Sequence, residues 1–148
     1  MKKISSYLNE QRILFFPAGP SKRQVIGSLI AALGLKDPTA ALRAVLAREE
    51  QGSTLIAPGL ALPHARSEGV AHIEAVIGIC PSGVQDPHVA SEPIRVYVLF
   101  LGPTDNMKEH LAFLAGVSVL FQKKGFIEKL CALASPAGVL HALQEAEK

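Results

Sequence analysis

The chain has 148 residues, 49% of them hydrophobic, with 15 Lys and Arg against 13 Asp and Glu, for a formal net charge of +2. The only basic cluster near the start, Lys2-Lys3, is too short for a nucleic-acid patch, and 5% aromatic residues with no tryptophan leave little to build a base-stacking surface from. No stretch reaches the roughly 20 uninterrupted apolar residues of a spanning helix. "MKKISSYLNEQ" lacks the apolar core of a secretory leader, so the sequence reads as soluble and cytoplasmic.

The length suits one compact domain spanning residues 1–148. Ile4, Tyr7 and Leu8 open it as a short amphipathic piece, and "ILFF" (13–16) reads as a strand closed by "PAGP". "SKRQVIGSLIAALG" predicts a helix capped by Ser21, with Val25, Ile26, Leu29 and Leu33 on one face and Gly34 as its stop. A second helix starts from Asp37-Pro38, carries Leu42, Val45 and Leu46, and ends near "REEQG". "STLIAPGLALPHAR" (53–66) has no helical period and reads as extended chain with a turn at Pro58-Gly59.

"IEAVIGIC" (73–80) and "IRVYVLFLG" (94–102) are the clearest strands, and the second is apolar enough to be covered on both sides. The prolines of the intervening "PSGVQDPHVASEP" argue for a loop or a weak edge strand. Thr104, Asp105 and Asn106 are cap candidates for the next helix. Asn106 with Glu109 resembles a capping box, and Leu111, Leu114, Ser118 and Phe121 form the expected inner face. Two shorter helices follow, the last capped by Ser135 before Pro136. This order predicts an α/β fold, a single three-layer α/β/α sandwich. Cys80 and Cys131 both lie in apolar stretches and read as buried free thiols.

The sequence has no Walker loop, no dinucleotide fingerprint, no HExxH, no paired Cys/His metal spacing and no GxSxG elbow. Any chemistry falls to the histidines. His64 ends an apolar extended run in "LALPHAR", where pattern alone makes it a structural histidine first. His110 lies in the first turn of a helix, where the dipole favours a neutral ring and free amides can meet an anion; an exposed helix-start histidine is the plainer reading. His72, His88 and His141 read as structural, His141 half-buried in the final helix. Arg48 completes the dipole of the second helix, or stands over the His64 region with a fork suited to phosphate. Ser53 and Thr54 supply hydroxyls nearby, as phosphate contacts or as ordinary turn residues. Arg66 is a further phosphate contact or a docking charge.

Taken together, "REEQGSTLIAPGLALPHAR" resembles the signature of phosphotransferase-system IIA domains of the fructose–mannitol class, which includes the nitrogen-regulatory IIA proteins. "SKRQVIGSLIAALG" and "PIRVYVLFLGPTDNMKEHLAFLAGVSVL" resemble the family's first helix and its central strand, loop and second-histidine helix. Two departures stand out: Ala65 where Gly often follows the histidine, and "VASEPI" without the usual Gly.

The resemblance implies an α/β/α sandwich around a mixed sheet. It implies a phosphotransferase working through phosphohistidine, with His64 as acceptor at Nε2, His110 as second active-site histidine and Arg48 near the phosphate. The implied donor is an HPr-type phosphocarrier protein; the next partner is a IIB domain or a regulated kinase or transporter. No cofactor or metal is implied, because the donor is a phosphohistidine. The absence of a fused IIB or IIC segment in this sequence inclines the reading to the regulatory type. A sugar-transport component donating to a IIB domain, or a degenerate domain that only binds partners, are the alternatives. The apolar docking surface implied around His64 has Leu60, Leu62, Val70 and Leu111 as candidates.

Overall fold

The computed structural model describes the chain apart from residues 1, 53 and 54. Two short 3-10 turns, Ile4–Tyr7 and Glu10–Arg12, lead into strand β1 (Ile13–Phe15). Helix α1 (Lys22–Ala32) starts at a complete capping box: Ser21 accepts from the Gln24 amide, and Gln24 accepts from the Ser21 amide. Gly34 follows with φ 65°, the left-handed turn that ends the helix without a Cβ penalty. Helix α2 (Pro38–Glu50) is capped by Asp37, with Pro38 in the first turn where its missing N–H costs nothing.

The extended segment splits into β2 (Leu55–Ala57), β3 (Leu60–Ala61) and β4 (His64–Arg66), turning at Pro58-Gly59 as expected. Two long strands, β5 (Glu74–Asp86) and β6 (Val89–Gly102), form the centre of a six-stranded mixed sheet with the order β1-β5-β6-β3-β2. β5 and β6 are antiparallel, β1 runs parallel to β5, and β3 and β4 both run parallel to β6. Three helices complete the chain: α3 (Met107–Phe121), α4 (Phe126–Cys131) and α5 (Pro136–Ala146).

β6 shows why the sheet has two covered faces. Side chains alternate along a strand. Val96, Val98 and Phe100 therefore enter a core built with α3, α4 and α5, while Tyr97, Leu99 and Leu101 enter a second core built with α1 and α2. The three-layer sandwich follows from that alternation.

Several expectations are corrected. The segment 81–93 is not a loop: β5 continues to Asp86 and β6 begins at Val89, making one long hairpin with its turn at Pro87-His88. The prolines are tolerated because the ladder is irregular there, with a register shift between Ile79 and Val84. Gly83 sits in that irregularity at φ 82°, and a Cβ on it would come within 2.7 Å of Pro93.

The buried face of α3 is His110, Phe113, Val117, Leu120 and Phe121, while Leu111 is 56% exposed. Counting apolar positions selects the neighbouring stripe because the true inner face begins with a polar residue. Leu60, Leu62 and Val70 are core residues, so of the four docking candidates only Leu111 reaches the surface. The His141 side chain is exposed, near Glu145. Cys80 is buried and Cys131 only half-buried; both are free thiols.

A buried ion cluster joins three elements. Lys22, at the start of α1, places Nζ 3.1 Å from Glu49 in the last turn of α2 and 3.0 Å from Asp86 at the end of β5. Both carboxylate side chains are almost fully sequestered.

Candidate functional site

β4 carries His64 to its position by pairing in parallel with the end of β6, His64 opposite Phe100 and Arg66 opposite Gly102. Pro63 ends the buried run, and its carbonyl accepts from the Phe100 amide. The His64 ring then lies flat on Phe100, with centroids 5.1 Å apart and planes 5° from parallel. Its Nδ1 lies 2.8 Å from the carbonyl oxygen of Leu62. A carbonyl can only accept, so Nδ1 must donate, and the neutral ring keeps its lone pair on Nε2. One backbone atom thus sets the tautomer and one aromatic face sets the plane.

His110 approaches from the other side, at the start of α3. Asn106 caps this helix by accepting from the Glu109 amide at 3.1 Å. The Glu109 carboxylate does not complete a capping box with the backbone. It accepts instead from the Asn106 side-chain amide and from the Ile73 amide, both at 3.3 Å, tying the helix start to the loop before β5. The His110 ring packs 5.0 Å from Phe100 and 5.4 Å from His64, centroid to centroid.

His110 is 7% exposed, and its Nδ1 has no hydrogen-bond partner among the described residues. That nitrogen is sealed against Gly102, where an added Cβ would lie 3.0 Å away. Burial first, then His64, then the Arg66 guanidinium push the His110 pKa below the ordinary histidine value. The ring is therefore neutral at pH 7. A sealed nitrogen is less costly as a lone pair than as an orphaned N–H. The proton accordingly belongs on Nε2, which makes His110 a hydrogen-bond donor at its open edge.

The structure thus brings together His64, His110 and Arg66, the last exposed and donating from Nη2 to the Met107 sulfur at 2.7 Å. Arg48 lies in the last turn of α2, a helix that packs against β4, and donates to the Gly52 carbonyl at 3.1 Å. That bond holds the guanidinium over the turn leading toward Ser53 and Thr54, two residues that lie outside the described ones. Sequence reasoning missed Phe100 and Gly102. Both read as ordinary strand residues, and only the β4–β6 register puts one under His64 and the other against His110.

Among the described residues, no group of three or more His, Cys, Asp or Glu is arranged to hold a metal ion, and no helix is long and apolar enough to cross a membrane.

Comparisons with known proteins identify the family and the fold. The family model described as "Phosphoenolpyruvate-dependent sugar phosphotransferase system, EIIA 2" matches residues 6–146. The fructose-specific EIIABC component of the phosphotransferase system of Bacillus subtilis (strain 168) is 25% identical over 150 residues, covering 99% of this chain. The chain spans only 24% of that relative's length. The crystal structure of the nitrogen regulatory protein IIA-Ntr from Neisseria meningitidis superposes with a TM-score of 0.83 at 25% identity, covering 95% of this chain and 98% of that one. The complex of enzyme IIA of the mannitol system with phosphorylated enzyme IIB from Escherichia coli gives 0.77 at 21% identity, covering 93% and 97%, which is a likeness of fold.

Proposed function

The chain belongs to the EIIA 2 family of the phosphoenolpyruvate-dependent sugar phosphotransferase system, and from that membership we propose that His64 accepts a phosphoryl group on Nε2 from the phosphohistidine of an HPr-type carrier. The observation that carries this reading is the bond from His64 Nδ1 to the Leu62 carbonyl, which leaves Nε2 as the nucleophile.

In the proposed step the Nε2 lone pair forms the new N–P bond as the carrier's N–P bond breaks. The departing electron pair stays on the carrier's ring nitrogen. Transfer of this kind passes through a loose transition state with charge on the equatorial oxygens, so the protein's part is positioning and charge stabilisation. His110 Nε2–H donates to one of those oxygens. Arg48, Arg66 and the first-turn amides of α3 supply positive potential. Ser53 and Thr54 belong to the same proposal as hydroxyl donors.

The whole chain acts as one IIA type-2 domain in the cytoplasm, where it meets its carrier. We favour a regulatory use of the phosphoryl group, in which a kinase or transporter reads the state of His64. The likeness to a nitrogen regulatory protein at a TM-score of 0.83 supports that use. The second reading is a sugar-transport component that passes the group to a IIB domain, supported by the fructose-specific relative.

The test is reconstitution with phosphoenolpyruvate, enzyme I and HPr, scoring acid-labile phosphate. Label on the native chain and none on His64→Gln is expected; label surviving that substitution would overturn the site. Onward transfer to added IIB proteins separates the two uses.

A further inference from the structure

The large apolar side chains that stand exposed among the described residues are Met107, Leu111 and Val119, at 45%, 56% and 65%. All three lie on α3, on one stripe of four-residue spacing filled in by exposed Ala115. Single exposed apolar residues need no explanation, but a contiguous stripe marks an interaction surface. One end touches Arg66, through Met107. The other opens into a cleft of about 300 Å³ between the N-terminal turn, the far half of α3 and the end of α5.

The cleft is built, not incidental. The Glu147 carboxylate accepts from the backbone amides of Ile4 and Ser5, at 2.6 and 3.1 Å, and so fastens the end of the chain to its start. Gly116 lets α3 come close to that turn, since a Cβ there would lie 3.0 Å from Ile4. The rim is lysine-rich: Lys2, Lys3, Lys123 and Lys148 line the cleft with Glu147, and Glu145 stands at its edge beside Lys148. Four lysines against these two acids leave a local balance of +2, as much as the net charge of the whole chain. Lys123 donates to the Ala146 carbonyl and Lys148 lies 2.9 Å from Glu145, so these two ammonium groups are held at the rim.

We propose that the far half of α3 and this lysine-rimmed cleft form a docking surface for an acidic segment of a partner protein that inserts one apolar side chain beside Val119. Charge complementarity selects that occupant. A second copy of this chain seated symmetrically on the cleft is disfavoured, because its lysines would face the same lysines across the contact. An anionic bilayer takes protruding apolar side chains under a flat basic face, whereas this floor is concave and suits a convex side chain. The surface lies two to three helical turns from His110, so it stands whether or not His64 carries a phosphoryl group.

The test is an amide NMR titration of the unphosphorylated full chain with the peptide acetyl-Glu-Asp-Leu-Glu-Asp-amide. Its controls are the same peptide with Gln and Asn in place of the acids, and phosphatidylglycerol vesicles. Saturable shifts are expected at Gly116, Val119, Lys123 and Ala146. They should weaken with added salt and lose about tenfold in affinity in the double variant Lys3→Glu, Lys123→Glu. Val119→Asp, an exposed substitution that leaves the core intact, should abolish them. No shift at the cleft, equal shifts from the uncharged peptide, or affinity unchanged by charge reversal would each overturn the proposal. Binding to the vesicles without binding the peptide would overturn it in favour of a membrane surface.

Discussion

His64 Nδ1 and the Leu62 carbonyl oxygen lie 2.8 Å apart, two residues from each other in the chain and bent together by the proline between them. The backbone thereby decides which ring nitrogen is free to react. Nitrogen-resolved NMR of the native protein at pH 7.5 should show His64 protonated at Nδ1, and after phosphorylation the phosphorus coupling should appear at Nε2. Coupling to Nδ1 would contradict this arrangement. His64→Gln should abolish labelling while changing folding stability by less than about 1 kcal/mol, as expected where no large apolar group is lost.

His110 sets a pH dependence. Its folded pKa lies below the unfolded value of about 6.5. Between those two values the unfolded chain binds the proton and the folded chain does not, so stability is present above pH 6.5 and falls as the pH drops toward the folded pKa. The urea midpoint of the native protein should therefore decline more steeply below pH 6.5 than that of His110→Gln. Equal slopes would mean that the ring titrates normally.

Gly102 leaves the space that His110 occupies: a Cβ added at residue 102 would lie only 3.0 Å from His110 Nδ1. Gly102→Ala should cost about 1 to 3 kcal/mol by overpacking, measured by urea denaturation. It should also tilt the His110 ring and slow phosphoryl transfer without blocking it. An unchanged His110 resonance together with native transfer would show that the ring has room to give.

Lys22 holds two sequestered carboxylates, Glu49 and Asp86, at about 3 Å. Lys22→Met removes the shared cation and should destabilise the fold by about 3 kcal/mol, the usual cost of taking one partner from a buried ion pair. Glu49 adjoins Arg48, so loosening the last turn of α2 should also lower the rate of His64 labelling. A stability loss below about 1 kcal/mol would assign Lys22 to the surface class.

Much of the fold is readable from the chain because the signals are local. Ser21, Asp37, Asn106 and Ser135 cap the helices expected of them, since a cap needs only its own first turn. The continuous apolar run of β6 announces a strand covered on both faces. Nonlocal facts stay hidden. The long hairpin reads as a loop because Pro81, Pro87 and Pro93 break the strand pattern; the irregular ladder around Gly83 accommodates Pro81 and Pro93, and Pro87 sits in the turn. The apolar pattern of α3 points one stripe away from its inner face, because the residue that begins that face, His110, is polar.

Short-range pattern carries the inventory: the layer order, the helix boundaries and the family signature around His64. The pairing comes from the folded chain alone. The parallel register of β4 on β6 lays His64 on Phe100, the absent side chain of Gly102 admits His110, and the folded environment lowers that ring's pKa. No local pattern carries this information, because these contacts join residues far apart in the chain, brought together only when both cores close around the sheet.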